Sequence, residues 1–151
     1  MSAFALTGQD VIQINSRSIV NLADADSILE EYQNDISKVK TAKNGNVIAA
    51  LDNQGLMATV TLRLLIGSSD DKFLNSIWQT FIADAGTFVV MTGYFAKRVG
   101  DGGGNLANVI YQCSAGFPKK LPGAKSNADG DLEQSVSVWS INFGTAIRTV
   151  Q

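Results

Sequence analysis

The sequence predicts a mainly β domain, an antiparallel β-sandwich or barrel-like fold with one flanking α-helix at about residues 69–85. Three observations predict it. Leu56–Ile66 alternates without a break: Leu56, Ala58, Val60, Leu62, Leu64 and Ile66 point one way, and Met57, Thr59, Thr61 and Arg63 the other. The next stretch changes period, with Phe73, Leu74, Ile77, Trp78, Phe81 and Ile82 recurring every three or four residues as one helical stripe. Elsewhere apolar runs of strand length are separated by turn chemistry, including Lys43-Asn44-Gly45-Asn46 and Gly100–Asn105.

Taken in order, Val11–Ile14 and Ser18–Leu22 flank Asn15–Ser18 and read as a hairpin with a polar turn. Asn21–Asp35 is ambiguous. A helix would take Asp24 or Asp26 as its cap, but the apolar stripe fails beyond Leu29, and the strand reading of Ile28–Gln33 is preferred. Ile36–Thr41 and Val47–Leu51 form a second hairpin, since Asn-Gly tolerates positive φ at both turn positions. Asp52–Gly55 turns the chain into the long strand. Gly67 ends that strand, Ser68–Asp70 caps the helix with acids in its first turn, and Gly86 suits its C′ position. Thr87–Val99 is apolar on both faces, as expected of a strand covered on both sides, and Leu106–Phe117 returns as its partner. Pro118–Asp131 holds both prolines and three lysines and reads as a long mobile loop. Gln134–Phe143 closes as a strand, with Val136 and Val138 opposite Trp139, Ile141 and Phe143. The helix is expected on the outside of the sheets.

The bulk properties bound the function. A chain of 151 residues suffices for a single domain, read as residues 1–151, with an N-terminal arm at 1–9 and a protruding hairpin at about 36–55. Charged residues make up 17%, against about 25% in an ordinary soluble protein, which leaves two readings open. One is ordinary scatter and the other a surface destined for other subunits. A net charge of −2 offers nucleic acid no global attraction, and the lysine clusters 38–43 and 119–125 lie near turns and read as solvated loops. The first ten residues lack the basic and apolar regions of a signal peptide, and no apolar run reaches the roughly 18 residues of a membrane span. Synthesis and folding in the cytoplasm are expected, with no membrane partner.

Catalytic chemistry is hard to find. With no histidine and one cysteine, imidazole catalysis and the usual zinc sites are excluded, and Cys113, in an apolar run, reads as a buried thiol. Gly100–Gly104 lacks the Lys-Ser/Thr of a phosphate loop and opens no helix. Asp24 with Asp26, Glu30 with Glu31, and Asp129-Gly130-Asp131 lack the calcium-loop pattern and read as solvated acids or turns. Trp78 and Trp139 could stack a ligand, but each sits in an apolar pattern and reads as core or interface. No cofactor, metal or enzyme activity is expected.

The order of pieces carries a resemblance. The first hairpin, the acids Asp24–Asp26 and Glu30–Glu31, the turn Asn44–Asn46, the Ala58–Leu64 strand, the cap Ser68–Asp71 and Leu74 follow one another. Over Val11–Trp78, about half the chain, this resembles the tail-tube proteins of contractile-tailed bacteriophages, which share their fold with secretion-needle tubes. Family members often carry a serine–proline–asparagine cap where this chain has Ser68-Ser69-Asp70-Asp71.

The resemblance implies a structural virion protein. Six copies would form a ring, and stacked rings a hollow tail tube that passes DNA to the host without binding it specifically. Partners would be the chain itself with sheath, baseplate and tail-terminator proteins. Ala3, Phe4, Lys43, Asn44, Gly45, Asn46, Asp52 and Asn53 are the expected contacts between rings. Val89, Met91, Phe95, Trp139 and Ile141 are expected in an intersubunit sheet, and Glu30, Glu31 and Asp35 as acids lining the lumen. Competing readings are a monomeric ligand-binding β-sandwich using the Pro118–Asp131 loop beside Trp139, and a tail-completion or baseplate protein of the same fold.

Overall fold

The computed structural model describes residues 3–23 and 27–151, so the suggested caps Asp24 and Asp26 lie outside the described residues. The strands are β1 (Ala5–Leu6), β2 (Val11–Ile14), β3 (Arg17–Ser18), β4 (Ile28–Tyr32), β5 (Ser37–Thr41), β6 (Val47–Leu51) and β7 (Ala58–Leu65). After the helix α1 (Ser69–Ala83) come β8 (Met91–Gly100), β9 (Leu106–Lys120) and β10 (Val136–Val150). The fold is mainly β with one helix, as the sequence predicts. Its main sheet is antiparallel in the order β3-β2-β8-β9-β10-β7-β4, with β1 adding to the far end of β8, and β5–β6 is a separate hairpin.

One face of this sheet is apolar and the sheet curls around it. Ala58, Val60, Leu62 and Leu64 of β7 are fully buried, as their alternation requires, together with Trp139, Ile141 and Phe143 of β10. Ile12 and Ile14 of β2, at the other side of the sheet order, belong to the same cluster, so the two margins close on one core. The irregularity is built into β9. Between Met91 and Gly93 of β8, paired with Gly116 and Cys113, β9 carries one residue too many. The extra residue lies beside Ala115, at φ 55°, and the inward phase of β9 passes from Cys113 to Gly116. Gly116 must be glycine: a Cβ there would come within 2.6 Å of the Phe143 ring.

The helix flanks the sheet and sends one stripe into the core. Leu74 and Trp78 are buried among the strand residues, and Trp78 meets Trp139 edge to face with ring centroids 4.9 Å apart. Polar bonds fix the seat. The indole of Trp78 donates to the Lys120 carbonyl at 3.1 Å, and that of Trp139 to the Asp71 carboxylate at 2.8 Å. Ser68 caps the helix by accepting from the Asp71 N–H. Asp70, only 1% exposed, accepts four bonds: from the N–H of Val20 and Asn21, the side-chain amide of Asn21 and the Arg17 guanidinium. The first turn of α1 is thereby tied to the chain leaving β3.

Several boundaries differ from expectation. The first hairpin turns on Asn15-Ser16, both at positive φ, so β3 is shorter than the apolar run suggests. β7 stops at Leu65, leaving Leu56 in a short 3-10 turn and Ile66 more than half exposed. The helix ends at Ala83 on Asp84, and Gly86 belongs to a following 3-10 turn instead of a left-handed C′ position; Ile82 is exposed. Thr87–Val90 is not strand, so β8 starts four residues late. β9 instead continues through Pro118 to Lys120. The proline fits because the register with β10 shifts there, where a missing N–H is tolerated. β10 is longer than predicted, running to Val150.

Burial alone would push the Asp70 carboxyl pKa up, but the four donors outweigh it and hold the group below the ordinary carboxylate range. Its stabilisation is therefore complete above the ordinary aspartate range and is lost as pH falls through the lowered folded value. Asp70→Ala should lower unfolding stability by about 3 kcal/mol at neutral pH, because buried donors lose a charged acceptor. Urea denaturation at pH 7 and pH 3 should show the gap between wild type and variant shrinking at the lower pH.

Candidate assembly surface

The expected site residues fall into three groups. Met91, Phe95, Trp139 and Ile141, expected in an intersubunit sheet, are buried in the core of a single copy, at most 4% exposed. Their side chains are covered within the one copy, so a part in an intersubunit sheet would fall to backbone and not to these side chains. An apolar pattern on a strand does not say whether the covering layer comes from the same chain or another. Val89 differs: it precedes β8 and is 82% exposed.

The second group is the hairpin and the N-terminal arm. All ten residues of β5 and β6 are exposed, and Lys43–Asn46 form the connecting turn, with Gly45 at φ 88°. The register pairs Val39 with Ala49, Thr41 with Val47 and Ser37 with Leu51 on one face, and Lys38 with Ala50 and Lys40 with Ile48 on the other. One face is thus mostly apolar and the other carries two lysines. The base is clamped. The Asp52 N–H donates to the Ile36 carbonyl at 2.8 Å, Asn34 donates to the Gln54 carbonyl at 3.2 Å, and Gly55 packs so closely on Ile36 that a Cβ would overlap its backbone. Asp52 caps the 3-10 turn that contains Asn53, and lies 3.7 Å from the Lys38 ammonium. In the arm, Ala5 and Leu6 pair with Gly100 and Val99, leaving Ala3 and Phe4 exposed.

The three acids separate. Neighbours in a strand take opposite faces, so Glu30 turns inward with Ile28 while Glu31 stays exposed, as does Asp35. Glu30 faces a cavity of about 220 Å³ where the β2 and β4 margins approach, lined also by Ile12, Phe95 and Tyr111. Its carboxylate accepts from the Cys113 thiol at 3.1 Å. Burial raises the Glu30 pKa, only partly offset by that bond, and burial with the nearby Glu30 charge pushes the thiol strongly upward. Cys113 is therefore buried and unreactive at neutral pH. Among the described residues no three His, Cys, Asp or Glu side chains gather into a metal-binding group.

One feature carries no motif. β7 pairs with β10 only from Val136 to Phe143, whereas β9 follows β10 to Val150. Beyond Phe143, among the described residues, no strand pairs with β10 on the β7 side. The Tyr32 hydroxyl donates to the Ala146 carbonyl at 2.7 Å, and the Gln151 N–H bonds to Asn108 of β9, so even-numbered residues of this stretch aim their backbone at the bare side. A groove of about 510 Å³ runs beside it, lined by Tyr32, Asp35, Ile36, Leu56, Ile147 and Arg148 among others. Only the length difference between β7 and β10 could have announced it.

No protein-family model and no curated protein sequence matches the chain. Solved structures do. A component of the PVC sheath–tube complex, an extracellular contractile injection system in its extended state, aligns with a TM-score of 0.57 and 14% identity over 96% of this chain and 89% of the other. The fold is that of contractile injection system components. The tube-terminating cap of the anti-feeding prophage aligns with a TM-score of 0.56 and 14% identity, over 96% of this chain and 89% of that one. The PVC sheath/tube terminator aligns at 0.52 and 15% identity, over 96% and 94%. The likeness covers nearly the whole chain, whereas the sequence resemblance to tail-tube proteins reaches only Trp78.

Because Glu30 is held protonated more readily in the fold, its ionisation costs stability as pH rises from the unfolded value through the raised folded one. Glu30→Gln, which keeps an acceptor for the Cys113 thiol, should raise the melting temperature at pH 7 and leave it unchanged at pH 4. Paired thermal melts at the two pH values check this.

Proposed function

We propose that the chain is a structural tail protein, a subunit of a hollow tail tube. Six copies form a ring, rings stack, and DNA passes along the lumen of the assembled virion tail. The observation that carries this reading is the fold shared over 96% of the chain with a component of a sheath–tube complex. An enzymatic role has no support beside it, since the neighbours in fold are components of contractile machines. Sheath, baseplate and terminator proteins are the partners such a subunit meets. The Ala3–Phe4 arm and the Lys43–Asn53 region reach the next ring, and Val89 and the sheet margins meet neighbours within a ring. Of the acids, Glu31 and Asp35 are exposed, and Glu31 is the one assigned to the lumen.

A terminator or tail-completion protein is the second reading, favoured by the cap and terminator structures of the same fold. It would share the protomer and not polymerise alone. A ligand-binding module is less well supported. Trp139, which would have been its stacking surface, is 1% exposed with its indole N–H held by Asp71. The loop after β9 is itself tied down by a Lys125–Asp131 ion pair.

Negative-stain microscopy of the purified protein should show rods of stacked rings. Deleting Lys43–Asn53 should leave folded protomers or rings that do not stack, because the exposed hairpin lies outside the core. Long rods formed by the deletion variant would contradict the role given to the hairpin.

A further inference from the structure

Among the described residues the Ser37–Leu51 hairpin and the bare stretch of β10 each lack a partner strand, and each has what the other lacks. A two-stranded hairpin alone in water is marginally stable and needs a covering surface. Here all ten strand residues are exposed, with Val39, Val47 and Leu51 on one face and both outer strand edges free. The β10 stretch offers the complement: outward-aimed backbone at Ala146, whose carbonyl already accepts from Tyr32, and at Arg148, and a groove whose exposed apolar side chains are Ile36 and Ile147 beside the Tyr32 ring. Ile36 and Gly55, at the hairpin base, form one wall of the groove, and no residue of β5, β6 or their turn lines it.

Charge points the same way. Lys40 and Lys43, on the hairpin face and tip, form no ion pair among the described residues, and neither does Asp35 at the groove. Arg148 also lines the groove and keeps its charge, its Nε–H donating to the neutral Tyr111 hydroxyl at 3.1 Å, so the attraction for a lysine is local to Asp35. Strands of five residues reach about 17 Å, enough to cross to an adjacent copy.

We propose that the hairpin tip of a second copy of this chain seats in the groove between the bare margin of β10 and the Tyr32–Ile36 segment, adding a strand edge to β10 and placing Lys43 by Asp35. The contact is heterologous, tip to base. Repeated along an axis without closure, such a contact generates a stack, which is the geometry the tube reading requires. It rests on the tube reading and supplies the acceptor that reading leaves open.

The test is a double variant, Asn44→Cys with Ile147→Cys, assembled and then oxidised. The native Cys113 is buried, so each single variant serves as the background. Intermolecular disulfides should give a ladder of tetramers and larger species on a non-reducing gel, and mixing the two single variants should give dimers only. Rods seen by microscopy with no ladder above background would overturn the groove and leave the tube reading standing. Absence of rings and rods from the wild type would overturn both. Should the cysteines prevent assembly, charge reversal replaces them. Asp35→Lys should abolish stacking and Lys43→Glu in the same chain restore it; stacking unaffected by Asp35→Lys would overturn the proposal.

Discussion

A single sheet that buries one face by curling must have its open side filled, and the attachment of α1 does this. The attachment is mostly two adjacent acids. Asp70 faces the chain leaving β3, and Asp71 faces Trp139 on β10, so one turn of helix joins elements that lie well apart in the sheet order. The acids also sit where the helix dipole favours negative charge. Leu74 and Trp78 then enter the core one and two turns later, and the Trp78–Trp139 contact closes the mouth. Without that anchor Leu62, Leu64 and Trp139 would lose their cover.

The consequence for function lies in what the core leaves over. The strong apolar residues of β7, β8 and β10 are spent within one copy, so the proposed self-association would use other material. What remains is backbone at strand margins, the two-faced β5–β6 hairpin, and apolar side chains such as Phe4, Val89 and Ile147 exposed outside the core. These are modest individually. Interfaces made of strand addition and a few anchors suit a subunit that folds first and polymerises afterwards, since the protomer does not need its neighbour to complete a core.

Most of the fold was legible because the periods were clean. Ala58–Leu64 alternates without exception, Phe73–Trp78 keeps helical spacing, and Asn44-Gly45 names its turn, so those elements appear where the residues place them. The misses share a cause: local chemistry was overridden by pairing. Pro118 looked like the start of a loop, but a register shift in the sheet absorbs a proline. Ala115 at positive φ gave no sequence signal, and it lies beside the extra residue of β9. For the candidate site, the hairpin could be read from its turn. The intersubunit strands could not, because Met91 or Trp139 covered by the same chain looks in sequence like Met91 or Trp139 covered by another. Glu30 and Glu31 looked like a pair until the pleat sent one inward to Cys113.

The central claim is that a complete, helix-sealed core presents an unfinished hairpin and strand margin which other copies finish. Hydrogen exchange read by mass spectrometry on dispersed and assembled protein tests it most directly. The account predicts slow exchange in β7 and the first half of β10 in either state. Peptides covering Ser37–Leu51 should exchange fast when dispersed, as should the amides of Ala146, Arg148 and Val150, which point away from β9, and both sets should become protected on assembly. Protection of those amides in the dispersed protein, or its failure to change in the assembled one, would contradict the account.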